Sequence, residues 1–192
     1  MENYSASIKY YKTALGICKK LGDNVIDSIM IHQCIGNSFY KMQQYDEALI
    51  EYDLQTINST IQRISLETFS WFDTSGKEPE RFYHAFVLGM LVDLKASYVL
   101  ESNRESGKGR YDILLIPKDV PAHPGIVIEF KSLDPQRGEK ELADTAKAAL
   151  EQIRSLSYAA SLKARGVPED RILTYGFAFK GKDVLVEGGK AC

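Results

Sequence analysis

The hydrophobic pattern changes period along the chain. In the first sixty residues, aromatic and small residues recur at helical spacing. Tyr4, Ser7, Tyr11 and Ala14 stand 3, 4 and 3 apart, and Tyr45, Ala48, Tyr52 and Gln55 repeat this 41 residues later. Such positions make one face of a helix, so the stretch predicts packed helices. Residues 58–79 read as a helix closed by the turn Asp73-Thr74-Ser75-Gly76. Pro79 suits a first helical turn, and Phe82, Phe86, Leu88, Leu91 and Val92 predict a largely apolar helix over about 79–96. Beyond it the period shortens to two. Tyr98–Leu100, Tyr111–Ile116 and Ile126–Leu133 predict strands, with turn chemistry at Asn103–Lys108 and a loop at Pro117–Gly125. A charged stretch from Glu139 to Arg165, stopped by Gly166, predicts one helix of about 27 residues. Ile172–Phe179 and Val184–Glu187 predict strands around the turn Lys180-Gly181-Lys182-Asp183. The expected organisation is α/β: helices over 1–60, a connecting helix and turn over 61–78, and a mixed domain over 79–192.

Composition narrows the class. The 192 residues are 44% hydrophobic and 26% charged, as in soluble globular proteins. No apolar run approaches the roughly 20 residues a membrane helix needs, so no membrane partner is expected. Cys18, Cys34 and Cys192 form no CxxC pair and leave an odd thiol. Neither a zinc site nor a disulfide framework is suggested, and the expectation is a reduced, cytoplasmic protein. A net charge of −2 speaks against bulk electrostatic binding of nucleic acid. It speaks only weakly against a nuclease, whose metal-binding carboxylates lower the net charge. The run Gly176 to Asp183 nearly spells a P-loop, but Asp183 stands where the motif needs Ser or Thr, and a strand follows. It reads as a hairpin turn.

The chemistry concentrates in the middle strands. Along Ile126–Lys131, residues two apart share a face: Ile126, Ile128 and Phe130 make core, while Val127, Glu129 and Lys131 face the other way. Two ionised groups on a strand otherwise built for burial are costly unless paired or bound to metal. Asp112 stands just before Ile113-Leu114-Leu115-Ile116, so neighbouring strands bring Asp112, Glu129 and Lys131 to one sheet end. Two carboxylates suit a hard cation such as Mg²⁺ or Mn²⁺, which stabilises charge on a scissile phosphate. A lysine beside them can stabilise the transition state or move a proton. The alternative is a lateral salt bridge with no chemistry.

Two resemblances extend this reading. Ile35, Gly36 and Phe39, then Tyr45, Ala48 and Tyr52, resemble the tetratricopeptide repeat. The usual closing proline is absent, and the period exceeds the standard, as in long-helix variants with a Leu-Gly-Asp turn, here Leu21-Gly22-Asp23. The likeness covers about residues 1–57, one and a half repeats, and implies a protein partner for these helices. Arrays usually need three or more units, so either the chain is a fragment or the helices pack on the second module. The alternative is a plain helical hairpin with an aromatic stripe.

The second resemblance covers about residues 79–187. Phe82-Tyr83-His84-Ala85-Phe86-Val87-Leu88-Gly89, then Ser102 to Asp112, then Ile128-Glu129-Phe130-Lys131 resemble the PD-(D/E)xK nuclease superfamily. More narrowly, they look like the branch often found at the C-terminus of predicted bacterial ATPases. The family implies a restriction-endonuclease-like αβββαβ core, with Asp112 and Glu129 as metal ligands and Lys131 as catalytic lysine. Tyr111 replaces the proline of the motif's name. By resemblance, Gln152 and Tyr158 also lie near the site, Gln152 bonding the metal's water or the phosphate. The alternative is a solvent-facing glutamine and a core-edge tyrosine. His84 and Glu80 share a helix face and touch the site, unless His84 is a packing histidine. Arg104, Lys108 and Arg110 contact phosphates or decorate a solvated turn. The implied activity is Mg²⁺- or Mn²⁺-dependent hydrolysis of nucleic acid, DNA ahead of RNA. The rival is an inactive nuclease fold used for binding, with the N-terminal helices as adaptor.

Overall fold

The computed structural model describes residues 44–68, 79–106 and 109–190. The chain divides into two compact units, Met1–Tyr45 and Asp46–Cys192. Tyr4, Ser7, Tyr11, Ala14, the Leu21-Gly22-Asp23 turn, Ile35, Gly36 and Phe39 lie outside the described residues, as do Lys108 and the turn at 73–76.

Helix α1 runs through residues 44–51, with Tyr45 and Ala48 buried as expected. Tyr52 does not continue their helix face. Its φ of 65° ends the helix, and its ring packs on Tyr175 with centroids 5.8 Å apart. Asp53 starts the next helix by accepting the Thr56 amide at 3.0 Å and the Thr56 hydroxyl at 2.6 Å. Such a cap satisfies a donor that every helix start leaves orphaned, which is why the chain turns here. Helix α2 (Leu54–Thr68) then crosses residue 60 without a break.

The second unit is built on a five-stranded sheet in the order β1-β4-β5-β6-β7. These are β1 (Tyr98–Ser102), β4 (Ile113–Pro117), β5 (Gly125–Ser132), β6 (Ile172–Lys180) and β7 (Asp183–Lys190). Only β5 and β6 run parallel. A parallel pair needs a crossover, supplied by α4 (Leu142–Ser155) and α5 (Ala160–Lys163). Helix α3 (Pro79–Met90) covers the opposite face. There Phe130 packs with Phe177 and Phe179, and Tyr83 stacks on Phe179 at 3.7 Å. On the α4 face, Val127 packs with Leu150, Ile153 and Leu162. Helices on both faces explain why β4 and most of β5 are buried throughout. Gly176, paired with Glu129, lets α4 press on the sheet: a Cβ there would lie 2.5 Å from the Ala146 carbonyl.

The order helix, three strands, helix, two strands is as expected. Two local expectations need correction. The stretch read as a turn carries a small hairpin, β2 (Glu105–Ser106) with β3 (Gly109–Arg110). The helix expected over Glu139–Arg165 is two helices. It starts at Leu142, where the Asp144 carboxylate accepts the Lys140 and Glu141 amides, and stops after Ser155. Ser157 turns left-handed at φ 55°, while its amide reaches Arg154 and that of Tyr158 reaches Ile153, both at 3.1 Å. This is a Schellman closure made with serine where glycine is the usual signal. The Lys180–Asp183 stretch is a hairpin turn, as read. Among the described residues, no helix is long and apolar enough to cross a membrane.

Helix α2 replaces a sixth strand at the β7 edge. Asn58 Nδ2 donates to the Val186 carbonyl at 2.8 Å, and its Oδ1 accepts the Val186 amide at 2.7 Å. Gln62 accepts the Val184 amide at 2.8 Å, and both Gln62 and Ser65 donate to the Lys182 carbonyl. Unpaired edge groups invite other strands, and these side chains answer them. Asn58→Ala should therefore cost about 1–3 kcal/mol, the penalty of stranding buried polar groups, in urea unfolding. Ser59→Ala, exposed one residue on, should stay within about 0.5 kcal/mol. Equal effects would contradict the edge reading.

Candidate functional site

Ile113 pairs with Ile128, so Asp112, one residue before β4, lies at the Glu129 end of β5. The carboxylate of Asp112 is fixed through Oδ2, which accepts the Phe130 amide at 2.9 Å. Its main chain is fixed as well: the Asp112 carbonyl accepts the Asn103 amide at 2.9 Å and lies 3.2 Å from His84 Nε2. The same ring nitrogen lies 3.0 Å from Ser102 Oγ. His84 also sets its ring edge-on to Phe130, with centroids 5.6 Å apart. It is a packing histidine and a neighbour of the site together. Glu80, one turn earlier on α3, accepts the Ser132 amide at 2.8 Å.

On the α4 face the chemistry is linked in a chain. Lys131 Nζ donates to Gln152 Oε1 at 2.6 Å. Gln152 Nε2 donates to Glu129 Oε1 and, at 3.3 Å, to Tyr158 Oη. Tyr158 is buried and donates onward to the Arg110 carbonyl at 2.8 Å. Gln152 thus presents its oxygen to the cation and its amino group to the carboxylate. Its reach is inward, toward these neighbours, and the Schellman closure is what brings Tyr158 back to meet it.

Electrostatics here are those of crowded acids. Glu129 is 4% exposed. Burial first, then the charge of Asp112, push its carboxyl up to about 8 against the pull of Lys131. Asp112 is raised too, chiefly by burial with Glu80 adding, while the Phe130 amide, His84 and Lys131 oppose the rise. The second oxygen of Glu129, Oε2, is buried with no hydrogen-bond partner.

Among the described residues, no three His, Cys, Asp or Glu side chains are grouped to hold a metal ion. A pair is present instead. Mg²⁺ takes oxygen donors, uses one or two carboxylates and keeps several waters. Two oxygen-bearing acids, the charge of Asp112 raising the Glu129 carboxyl and one Glu129 oxygen buried and unpaired, fit such an ion. They would hold it through Asp112 and Glu129.

The structure therefore brings together Asp112, Glu129, Lys131, Gln152 and Tyr158, with His84 beside them. Arg104 is drawn elsewhere, to Glu101 at 3.2 Å. Arg110 has its main chain in the network and its side chain exposed. Sequence reading placed Ser102 at the start of a motif stretch but gave it no role: the pairing of β1 beside β4 sets it near His84. A family model described as the PD-(D/E)XK nuclease superfamily matches residues 78–188, more than half of the chain. No curated protein matches it.

The raised carboxyl of Glu129 has a consequence for stability. An acid whose folded pKa exceeds its unfolded value binds more protons when folded, so stability falls as pH rises across that window. For Glu129 the window runs from about 4.5 to about 8. In EDTA, Glu129→Gln should melt with wild type at pH 4.5 and above it at pH 8.5. The gain should be at least about 2–4 °C, the worth of one kcal/mol in a chain of this size. A pH-independent difference in melting temperature would contradict the assignment.

Proposed function

Because the chain belongs to the PD-(D/E)XK nuclease superfamily, we propose that it hydrolyses phosphodiester bonds of nucleic acid with bound Mg²⁺ or Mn²⁺, DNA ahead of RNA. The observation carrying this reading is the convergence of Asp112, Glu129 and Lys131 at one sheet end, with Glu129 Oε2 buried and unpaired. When bound, the ion supplies positive charge against the phosphate and lowers the pKa of water. Asp112 and Glu129 hold it. Lys131 faces the scissile group, its ammonium aimed by Gln152, and stabilises charge or moves a proton there. Tyr158 fixes Gln152 in turn. Arg110, exposed two residues before Asp112, is the proposed phosphate contact. The N-terminal segment, with its repeat-like spacing, is proposed as a protein-binding adaptor.

Two substitutions separate the roles. Asp112→Ala should abolish Mn²⁺ binding in calorimetry while the circular dichroism spectrum stays native. Unchanged affinity would count against the site. Lys131→Ala should spare metal and nucleic-acid binding yet slow cleavage by about 10²-fold or more, the range of an acid–base group. The assay is nicking of plasmid and cleavage of single-stranded DNA and RNA in Mg²⁺, with EDTA as blank. Equal cleavage by wild type and Lys131→Ala would place the activity elsewhere. If neither cleaves any substrate while both bind one, the chain is a binding module.

A further inference from the structure

Asp112 lies outside the strand ladder, in a bend between β3 and β4. Regular pairing therefore does not set its position, and the residue before it matters. A proline there would fix the backbone through its ring. Tyr111 carries no such constraint, and it is anchored through its side chain instead. Its ring is buried, edge-on to Tyr158 with centroids 6.2 Å apart. Its hydroxyl donates to Glu101 Oε2 at 2.7 Å.

Glu101 is itself clamped. Its side chain is only 10% exposed, though it belongs to an edge strand. Arg165 Nη2 lies 3.1 Å from both of its oxygens, and Arg104 Nη1 lies 3.2 Å from Oε1. Three parts of the chain meet on this one carboxylate: β1 with its following turn, the approach to Asp112, and the segment after α5. Charge-assisted bonds of this kind are stronger than neutral ones. A carboxylate held by two guanidinium groups makes a rigid acceptor for one hydroxyl.

We propose that Glu101, clamped by Arg104 and Arg165, is a positioning residue for Asp112 and acts through the Tyr111 hydroxyl. The clamp takes the place of backbone rigidity at residue 111. It gives the largely exposed Arg104 a partner within the fold. An outer-shell partner of a metal ligand is worth about 10–100-fold in metal affinity, and that is the effect expected here. The metal consequence rests on the proposed function; the geometric consequence does not.

The test uses the full chain and the variants Tyr111→Phe, Glu101→Ala and their double, with Lys163→Ala as control. Lys163 makes an exposed ion pair with Glu169 near the same segment. Tyr111→Phe removes one oxygen and keeps the packed ring. Amide exchange by NMR reads the position of Asp112 directly, because the Phe130 amide bonds its carboxylate and the Asn103 amide bonds its carbonyl. In Tyr111→Phe and Glu101→Ala both amides should exchange about tenfold faster, while Leu133, bonded to the Phe179 carbonyl, stays as in wild type. Mn²⁺ affinity by calorimetry should fall about 10–100-fold. The double variant should be no worse than the worse single, as for two members of one bond. Lys163→Ala should change nothing. Exchange that rises uniformly, or not at all, overturns the proposal, as does full Mn²⁺ affinity in variants that exchange faster. If wild type binds no Mn²⁺, the metal reading fails, and exchange at Phe130 and Asn103 alone decides the clamp.

Discussion

Two acids buried side by side repel each other and are starved of water, and both effects favour the uncharged form. At one end of the sheet Glu129 is buried beside the half-buried Asp112, whose charge raises its carboxyl. Lys131 shares a strand face with Glu129 but gives its ammonium to Gln152 at 2.6 Å, so it tempers the repulsion without cancelling it. Such a pair has two ways to relax: keep a proton, or take a cation. The carboxyl of Glu129, pushed up to about 8, is the first. The free Oε2 is the opening for the second. The proposed metal site would use that oxygen, whereas a lateral salt bridge would not require it.

The rest of the fold serves that constraint. The parallel β5–β6 pair demands a crossover, and the crossover delivers Gln152 and Tyr158. Gly176 opposite Glu129 allows α4 to approach closely, which puts Gln152 within reach of both charges. From the other face, α3 supplies Glu80 to the Ser132 amide and His84 to the Asp112 carbonyl. Two helices therefore brace one strand end. The β6–β7 turn at this end is also held: α2 bonds the Lys182 carbonyl and Tyr83 the Gly181 carbonyl. Asn58 and Gln62 satisfy the Val184 and Val186 groups of that edge strand, which leaves fewer of them to recruit a neighbour.

Much of this was legible in the residues. Period two in Ile126–Lys131 separates core from chemistry, and the alternation places Glu129 and Lys131 together on the α4 face. Asp112 before an apolar run completes the set once β4 and β5 are neighbours, and they are. What escaped was tertiary. Ser157 at φ 55° stops α4 where no glycine or proline announces it, so the stretch read as one helix. Asn58 and Gln62 look like ordinary polar helix positions, and only the unpaired β7 edge gives them a task. Glu101 and Arg165 lie 64 residues apart, beyond any local pattern. The charge of Arg104 is visible in sequence, but its pairing with Glu101 emerges only in the fold.

The central claim is that the acid pair holds a divalent cation, and anomalous diffraction from a crystal soaked in Mn²⁺ tests it most directly. One peak is expected at bonding distance from Glu129 Oε2 and from a carboxylate oxygen of Asp112, absent in crystals of Asp112→Ala. No peak there at saturating Mn²⁺, or a peak bound by other residues, would contradict it.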